Sequence, residues 1–162
     1  MSIMVFQLGG SWRFELDLAD IGEDKGWFGA GFNDDSWLSV DVPSNWDCYR
    51  PELFGYSGVG WYRRSFFLCE EWSKKRLVLK FEGVNYSAKV WVNGTLVGSH
   101  EGGFMPFEFD ITDKVSFGEA NLIAVKVENV PGKEKVPSSL GGWWNYGGIY
   151  RDVRIEAKEA LH

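Results

Sequence analysis

The chain has few of the residues that make metal, redox or disulfide chemistry, with two cysteines and two histidines among 162 residues. Cys48 and Cys69 fall into neither a CxxC pair nor a Cys/His ligand spacing, so neither a zinc centre nor a disulfide scaffold is expected. They read as reduced, half-buried small hydrophobes. Basic charge is also short. Seventeen Lys and Arg stand against 23 Asp and Glu, giving a net charge of -6 and a pI near 5.0, which disfavours nucleic acid and acidic membranes. No apolar run approaches the roughly 18 residues of a membrane span. The opening Met-Ser-Ile-Met-Val-Phe-Gln lacks the basic n-region of a signal peptide, so a cytoplasmic location is expected. No GxGxxG or GxxxxGK[ST] occurs, and no cofactor is expected. Repeats, heptads and low-complexity tracts are absent too.

Aromatic residues are plentiful, at 17% with nine Trp, against an ordinary 44% hydrophobic content. One domain fits the length, and most of these rings are expected to fill its core. The hydrophobic period is that of strands. Leu77, Leu79 and Phe81 alternate with Val78 and Lys80 from Arg76 to Phe81, and Ala88, Val90 and Val92 repeat the pattern. Asn93-Gly94 follows directly, the dipeptide that best accepts the two positive φ angles of a type I′ turn, and Thr95 to Gly98 returns. Tyr62, Arg64, Phe66 and Leu68 share a strand face, as do Ile123, Val125 and Val127, and Val153, Ile155 and Ala157. Short strands punctuated by Gly, Pro, Asn and Asp predict an all-β, antiparallel jelly-roll β-sandwich.

Asn129 to Gly148 shows neither period, and a connection of that length is more often functional than merely connecting. The segment ends in Trp143, Trp144, Asn145 and Tyr146. Flat rings can stack on the apolar face of a pyranose while an amide serves its hydroxyls, so these four are candidate carbohydrate contacts. Glycoside hydrolysis needs two carboxylates about 5 to 9.5 Å apart across the bond. Asp34-Asp35, Glu70-Glu71, Glu108 and Asp110 read instead as solvated turn and strand positions, so no catalytic residue is assigned. His100, in His100-Glu101-Gly102-Gly103, reads as a hydrogen-bonding turn residue and not as a metal ligand.

Several ordered pieces resemble the amino-terminal sugar-binding domain of the family 2 glycoside hydrolases. They run from Gly10-Ser-Trp12-Arg-Phe14 through Asp35-Ser-Trp37, Val42-Pro43-Ser-Asn-Trp46 and Gly60-Trp61-Tyr62-Arg63-Arg64. Phe81-Glu-Gly83-Val84, Val90-Trp91-Val92-Asn93-Gly94, His100-Glu-Gly-Gly-Phe104 and Pro106-Phe107-Glu-Phe109-Asp110-Ile-Thr112 follow, and Trp144-Asn-Tyr-Gly-Gly-Ile-Tyr-Arg-Asp-Val153 closes the series.

The resemblance implies a domain of a β-galactosidase, β-glucuronidase or β-mannosidase, followed there by an immunoglobulin-like domain and a (β/α)8 barrel carrying the catalytic glutamates. On that basis residues 1–162 are expected to be one excised or truncated accessory domain whose partners are the missing barrel, the immunoglobulin-like domain and a β-glycoside. The resemblance implies that the Trp143–Tyr146 loop lines the active-site entrance, with a second contact from the loop before Gly60, where Arg50, Glu52 and Tyr56 are candidates. Gly142 stands where many members carry an acid that touches the sugar. A free-standing carbohydrate-binding module and a protein-interaction domain are the alternative readings.

Overall fold

The structure, a computed structural model, describes residues 3–129 and 147–160. Two antiparallel sheets face each other. The larger contains β2 (Gly10–Leu16), β3 (Leu38–Val42), β4 (Val59–Phe67), β7 (Ser87–Val92), β8 (Thr95–Glu101) and β10 (Ala120–Glu128), in the order β3-β2-β4-β10-β7-β8. The smaller is β1 (Met4–Gln7), β12 (Val153–Lys158), β5 (Arg76–Phe81) and β9 (Phe107–Asp110), in the order β1-β12-β5-β9. A two-stranded piece pairs β6 (Val84–Asn85) with β11 (Gly148–Ile149). The only helical turns among the described residues are three 3₁₀ turns of three residues each.

The expected alternation holds strand by strand. Leu77, Leu79 and Phe81 from β5 and Val153, Ile155 and Ala157 from β12 meet Tyr62, Phe66, Val90, Ile123, Val125 and Val127 across the sandwich in one buried cluster. Each such side chain contributes about 1.5 to 3 kcal/mol by leaving water. The β7–β8 turn has Asn93 at φ 51 and Gly94 at φ 81, both positive as type I′ requires. The Asn93 side chain is committed as well, accepting from Leu122 N at 2.9 Å and donating to Lys114 O at 2.8 Å.

A second cluster lies outside the six-stranded sheet, where Trp37, Val59, Trp61, Trp91 and Ala124 are covered by Trp27, Phe28 and Phe32. Arg63 pins this cover. Its guanidinium pairs with Asp34 at 2.9 Å and donates to the carbonyls of Trp27, Gly29 and Phe32 at 2.6 to 3.0 Å. Asp34 is therefore an ion-pair partner and not the solvated turn residue expected, because a planar fork at 3% exposure needs an anion beside it.

Two other expectations fail. Cys48 and Cys69 are exposed, their thiols bonded to Asn45 Oδ1 and Glu71 Oε1 at 3.3 and 3.2 Å, Cys48 as the last residue of one 3₁₀ turn and Cys69 just before another. His100 belongs to β8 and not to a turn. Its ring stacks on Phe107 at 4.3 Å, and its Nδ1 has no hydrogen-bond partner among the described residues. Burial of that ring holds its pKa below the ordinary imidazole value.

Candidate functional site at the loop end

One end of the sandwich gathers the connections that the sequence singles out. The chain leaves β3 through Pro43, makes a 3₁₀ turn at Trp46–Cys48 and a second at Pro51–Leu53, then enters β4 at Val59. Aromatic packing holds this passage in place. Trp46 is fully buried between Phe14 and Tyr56, with ring centroids 6.0 and 5.4 Å away, and its Nε1 donates to Tyr56 O at 3.2 Å.

Beneath it lies a chain of hydroxyls. Tyr49 Oη donates to Ser44 O at 3.1 Å and accepts from Tyr62 Oη at 2.8 Å, and Tyr62 Oη in turn accepts from Ile149 N at 3.4 Å. Burial pushes the Tyr49 phenol up to about 12 and raises Tyr62 well above its ordinary value.

Both stems of the 130–146 segment are fixed here. On one side Asn129 N donates to Gly58 O at 2.8 Å while Asn129 O accepts from Ser57 Oγ. On the other, Gly147 O accepts from Trp46 N at 2.9 Å and Ile149 O from Ser44 N at 3.0 Å. The passage at 44–58 therefore bonds the described residues on both sides of positions 130–146. Trp143, Trp144, Asn145 and Tyr146 themselves lie outside the described residues.

The second group of candidates divides. Arg50 and Glu52 are exposed on the loop, and neither side chain has an ion-pair or hydrogen-bond partner among the described residues. Tyr56 is half-buried, its ring against Trp46 and its hydroxyl donating to Val59 O at 3.0 Å. Asp47, which sequence reasoning missed, is 8% exposed and accepts from Gly55 N at 2.7 Å, holding the loop that carries all three. Only its position directly after Trp46 in a turn would have hinted at that part.

Glu23, Glu101 and Glu128 stand beside Lys89 and Lys126 along an open groove of about 290 Å³ on β7, β8 and β10. Glu23 bonds Lys89 at 2.5 Å and Lys126 at 2.9 Å, and those bonds hold its pKa below the ordinary carboxylate range. A general acid needs the opposite shift. No group of three potential metal ligands occurs among the described residues, and no helix there is long and apolar enough to cross a membrane.

Comparison with known proteins agrees with this architecture. The sugar binding domain of the glycosyl hydrolases family 2 matches residues 5–158. A β-galactosidase of Thermoanaerobacter pseudethanolicus is 43% identical over 156 residues, which covers 93% of this chain and 21% of that protein. A β-glucuronidase of Bacteroides fragilis is 39% identical over 119 residues, 72% of this chain and 17% of that protein. The solved Lactobacillus rhamnosus β-glucuronidase superposes with a TM-score of 0.87 at 32% identity, over 96% of this chain and 29% of that one. The chain thus spans 17 to 29% of the length of these three relatives. With its sheets, its loop-end ties and nearly its whole length accounted for, the chain belongs to the glycosyl hydrolases family 2, as a sugar binding domain.

Proposed function

We propose that this domain is a non-catalytic accessory part of an exo-acting β-glycosidase, where it packs on a catalytic barrel and shapes the substrate entrance with its two loop-end loops. The observation that supports this reading is that the 44–58 passage, which carries Arg50, Glu52 and Tyr56, also bonds Asn129 and Gly147, the described residues on either side of positions 130–146. The relatives' names supply the substrate class, a β-galactoside or β-glucuronide. A soluble, cytoplasmic parent enzyme is part of the proposal.

The missing acid at Gly142 shifts the proposed role away from gripping a monosaccharide and towards bordering the entrance. Rings at 143, 144 and 146 suit that task, since stacking tolerates varied sugars more readily than a charged contact does. The purified chain is expected to leave nitrophenyl β-galactoside, β-glucuronide and β-mannoside uncleaved. Turnover that survives repurification and disappears when one carboxylate of this chain is changed would overturn the reading.

A further inference from the structure

The outermost strands of the two sheets are β3 and β8 in the larger and β1 and β9 in the smaller. Natural edges are blunted by charge, proline or a bulge, because unpaired N–H and C=O groups otherwise accept a further strand. β3, β8 and β9 follow that rule. β3 carries Asp41 and runs into Pro43, β8 carries Glu101 and a register shift against β7 at Val90/Trp91, and β9 carries Glu108 and Asp110. β1 does not, since Ile3 to Gln7 holds no charge and no proline and β1 pairs with β12 without a shift.

Apolar exposure among the described residues agrees. Leu18, Ile21, Phe54, Phe104 and Met105 stand in water on connections, and Phe67 and Leu96 singly on their strands. Ile3 at 54% and Val5 at 45% exposure are instead two positions apart on one strand face. Their backbone is open too. Leu8 N donates to Val153 O at 2.9 Å, directly across the register that continues from Gln7 and Arg154, so Leu8 and Val153 are a hydrogen-bonded pair. By alternation Met4 and Phe6 direct their N–H and C=O groups at β12, while Ile3, Val5 and Gln7 turn theirs outwards.

We propose that two copies of this chain pair through β1, antiparallel about a two-fold axis at Met4, so that Ile3 of each stands opposite the second copy's Val5 and the two four-stranded sheets become continuous. The outward groups of Ile3 and Val5 then form about four backbone hydrogen bonds across the axis. Charge selects the occupant. On the outer face Glu156 lies beside Val5, and Lys158, one position on from the Ala157 that faces Met4, stands at the level of Ile3. Each row across the axis therefore runs Lys158, Ile3, Val5, Glu156, with opposite charges at its ends and apolar side chains between. The ends lie three strand spacings apart, about 14 Å, a gap that a lysine and a glutamate side chain close from both sides. An axis at Val5 would face Glu156 with Glu156 and set Ile3 against Gln7. The apolar and the charged patterns thus select one register and one partner, a second copy, as an isologous contact requires. The inference is independent of the accessory role.

Sedimentation equilibrium of the purified chain tests this. A contact through one short strand is smaller than a standard interface, so association is weak, with the average mass rising from 18.4 kDa towards twice that value between about 10 µM and about 1 mM. Val5→Lys should weaken association at least about tenfold and leave the melting temperature unchanged, since lysine blunts an edge and position 5 already faces water. Ile3→Lys, outside the β1–β12 pairing, should do the same, and it decides the matter if Val5→Lys unfolds the chain. Lys158→Glu should also weaken association by setting like charges at the ends of each row, whereas Leu96→Lys, on the edge of the other sheet, should not. A mass that stays at 18.4 kDa throughout overturns the inference. So does association that survives Ile3→Lys, that Lys158→Glu leaves unchanged or that Leu96→Lys removes, and each of these results leaves the accessory reading standing.

Discussion

Trp46 and Gly147, 101 positions apart, are in such close contact that the amide of one donates to the carbonyl of the other at 2.9 Å, and a Cβ on Gly147 would enter the indole ring. The same Cβ would stand 2.8 Å from Asn129 Nδ2. Gly147→Ala should therefore cost about 1 to 3 kcal/mol, the usual range for overpacking a site that cannot relax. Urea unfolding of the chain checks this, and an unchanged midpoint would mean that the loop stem does not sit against Trp46.

Arg63→Lys should destabilise the chain by about 2 kcal/mol, since a lysine cannot serve Asp34 and three carbonyls from one planar fork. Fluorescence should also change, because Trp27 and Trp37 would lose the cover that the guanidinium holds. Stability equal to the parent chain would show that the 17–37 segment is held by its aromatics alone.

Tyr49 provides the pH prediction. Its folded pKa of about 12 lies above the ordinary value of 10.0 because burial disfavours the phenolate. A raised folded value contributes stability that is fully present below pH 10 and is lost as pH climbs from about 10 towards 12. Absorbance at the phenolate band should accordingly show Tyr49 and Tyr62 ionising only with alkaline unfolding. A phenol titrating near pH 10 in the folded chain that disappears in Tyr49→Phe or Tyr62→Phe would contradict the buried hydroxyl chain.

The hairpin prediction tests the best-read element. Gly94→Val should cost about 1 to 3 kcal/mol, because φ 81 is strained for a β-branched residue. Thermal melting measures it, and an unmoved transition would place the turn elsewhere.

Strands are legible in the sequence where apolar residues recur at every second position between turn residues. Arg76–Phe81 was read to its exact ends because Leu77, Leu79 and Phe81 share one buried face of that strand, between turns on either side. The 17–37 cover was not legible, since Trp27, Phe28, Phe32 and Trp37 follow no period and derive their burial from Arg63 on a distant strand. His100 was misread for a related reason. Its place in β8 depends on pairing with Ala88 and stacking on Phe107, which no local pattern announces. At the site, length and aromatic composition mark the segment ending at Tyr146, and only the family resemblance marks the loop before Gly60; the bonds from Trp46 and Gly58 to Gly147 and Asn129 are a tertiary fact.

Trp144→Ala should change the isolated chain's stability by less than about 0.5 kcal/mol, the usual result away from a packed core. In the full-length parent enzyme the same change should raise KM or loosen the domain contact. A loss of about 3 to 5 kcal/mol in the isolated chain would instead make Trp144 a core residue.

The most direct measurement of the central claim is titration of the isolated chain with a glycan array followed by calorimetry on any hit. An accessory domain whose site is completed by a catalytic barrel should show no saturable binding tighter than about 1 mM, about 4 kcal/mol of free energy. Saturable micromolar binding that is abolished by Trp144→Ala would make this a free-standing carbohydrate-binding module and contradict the account.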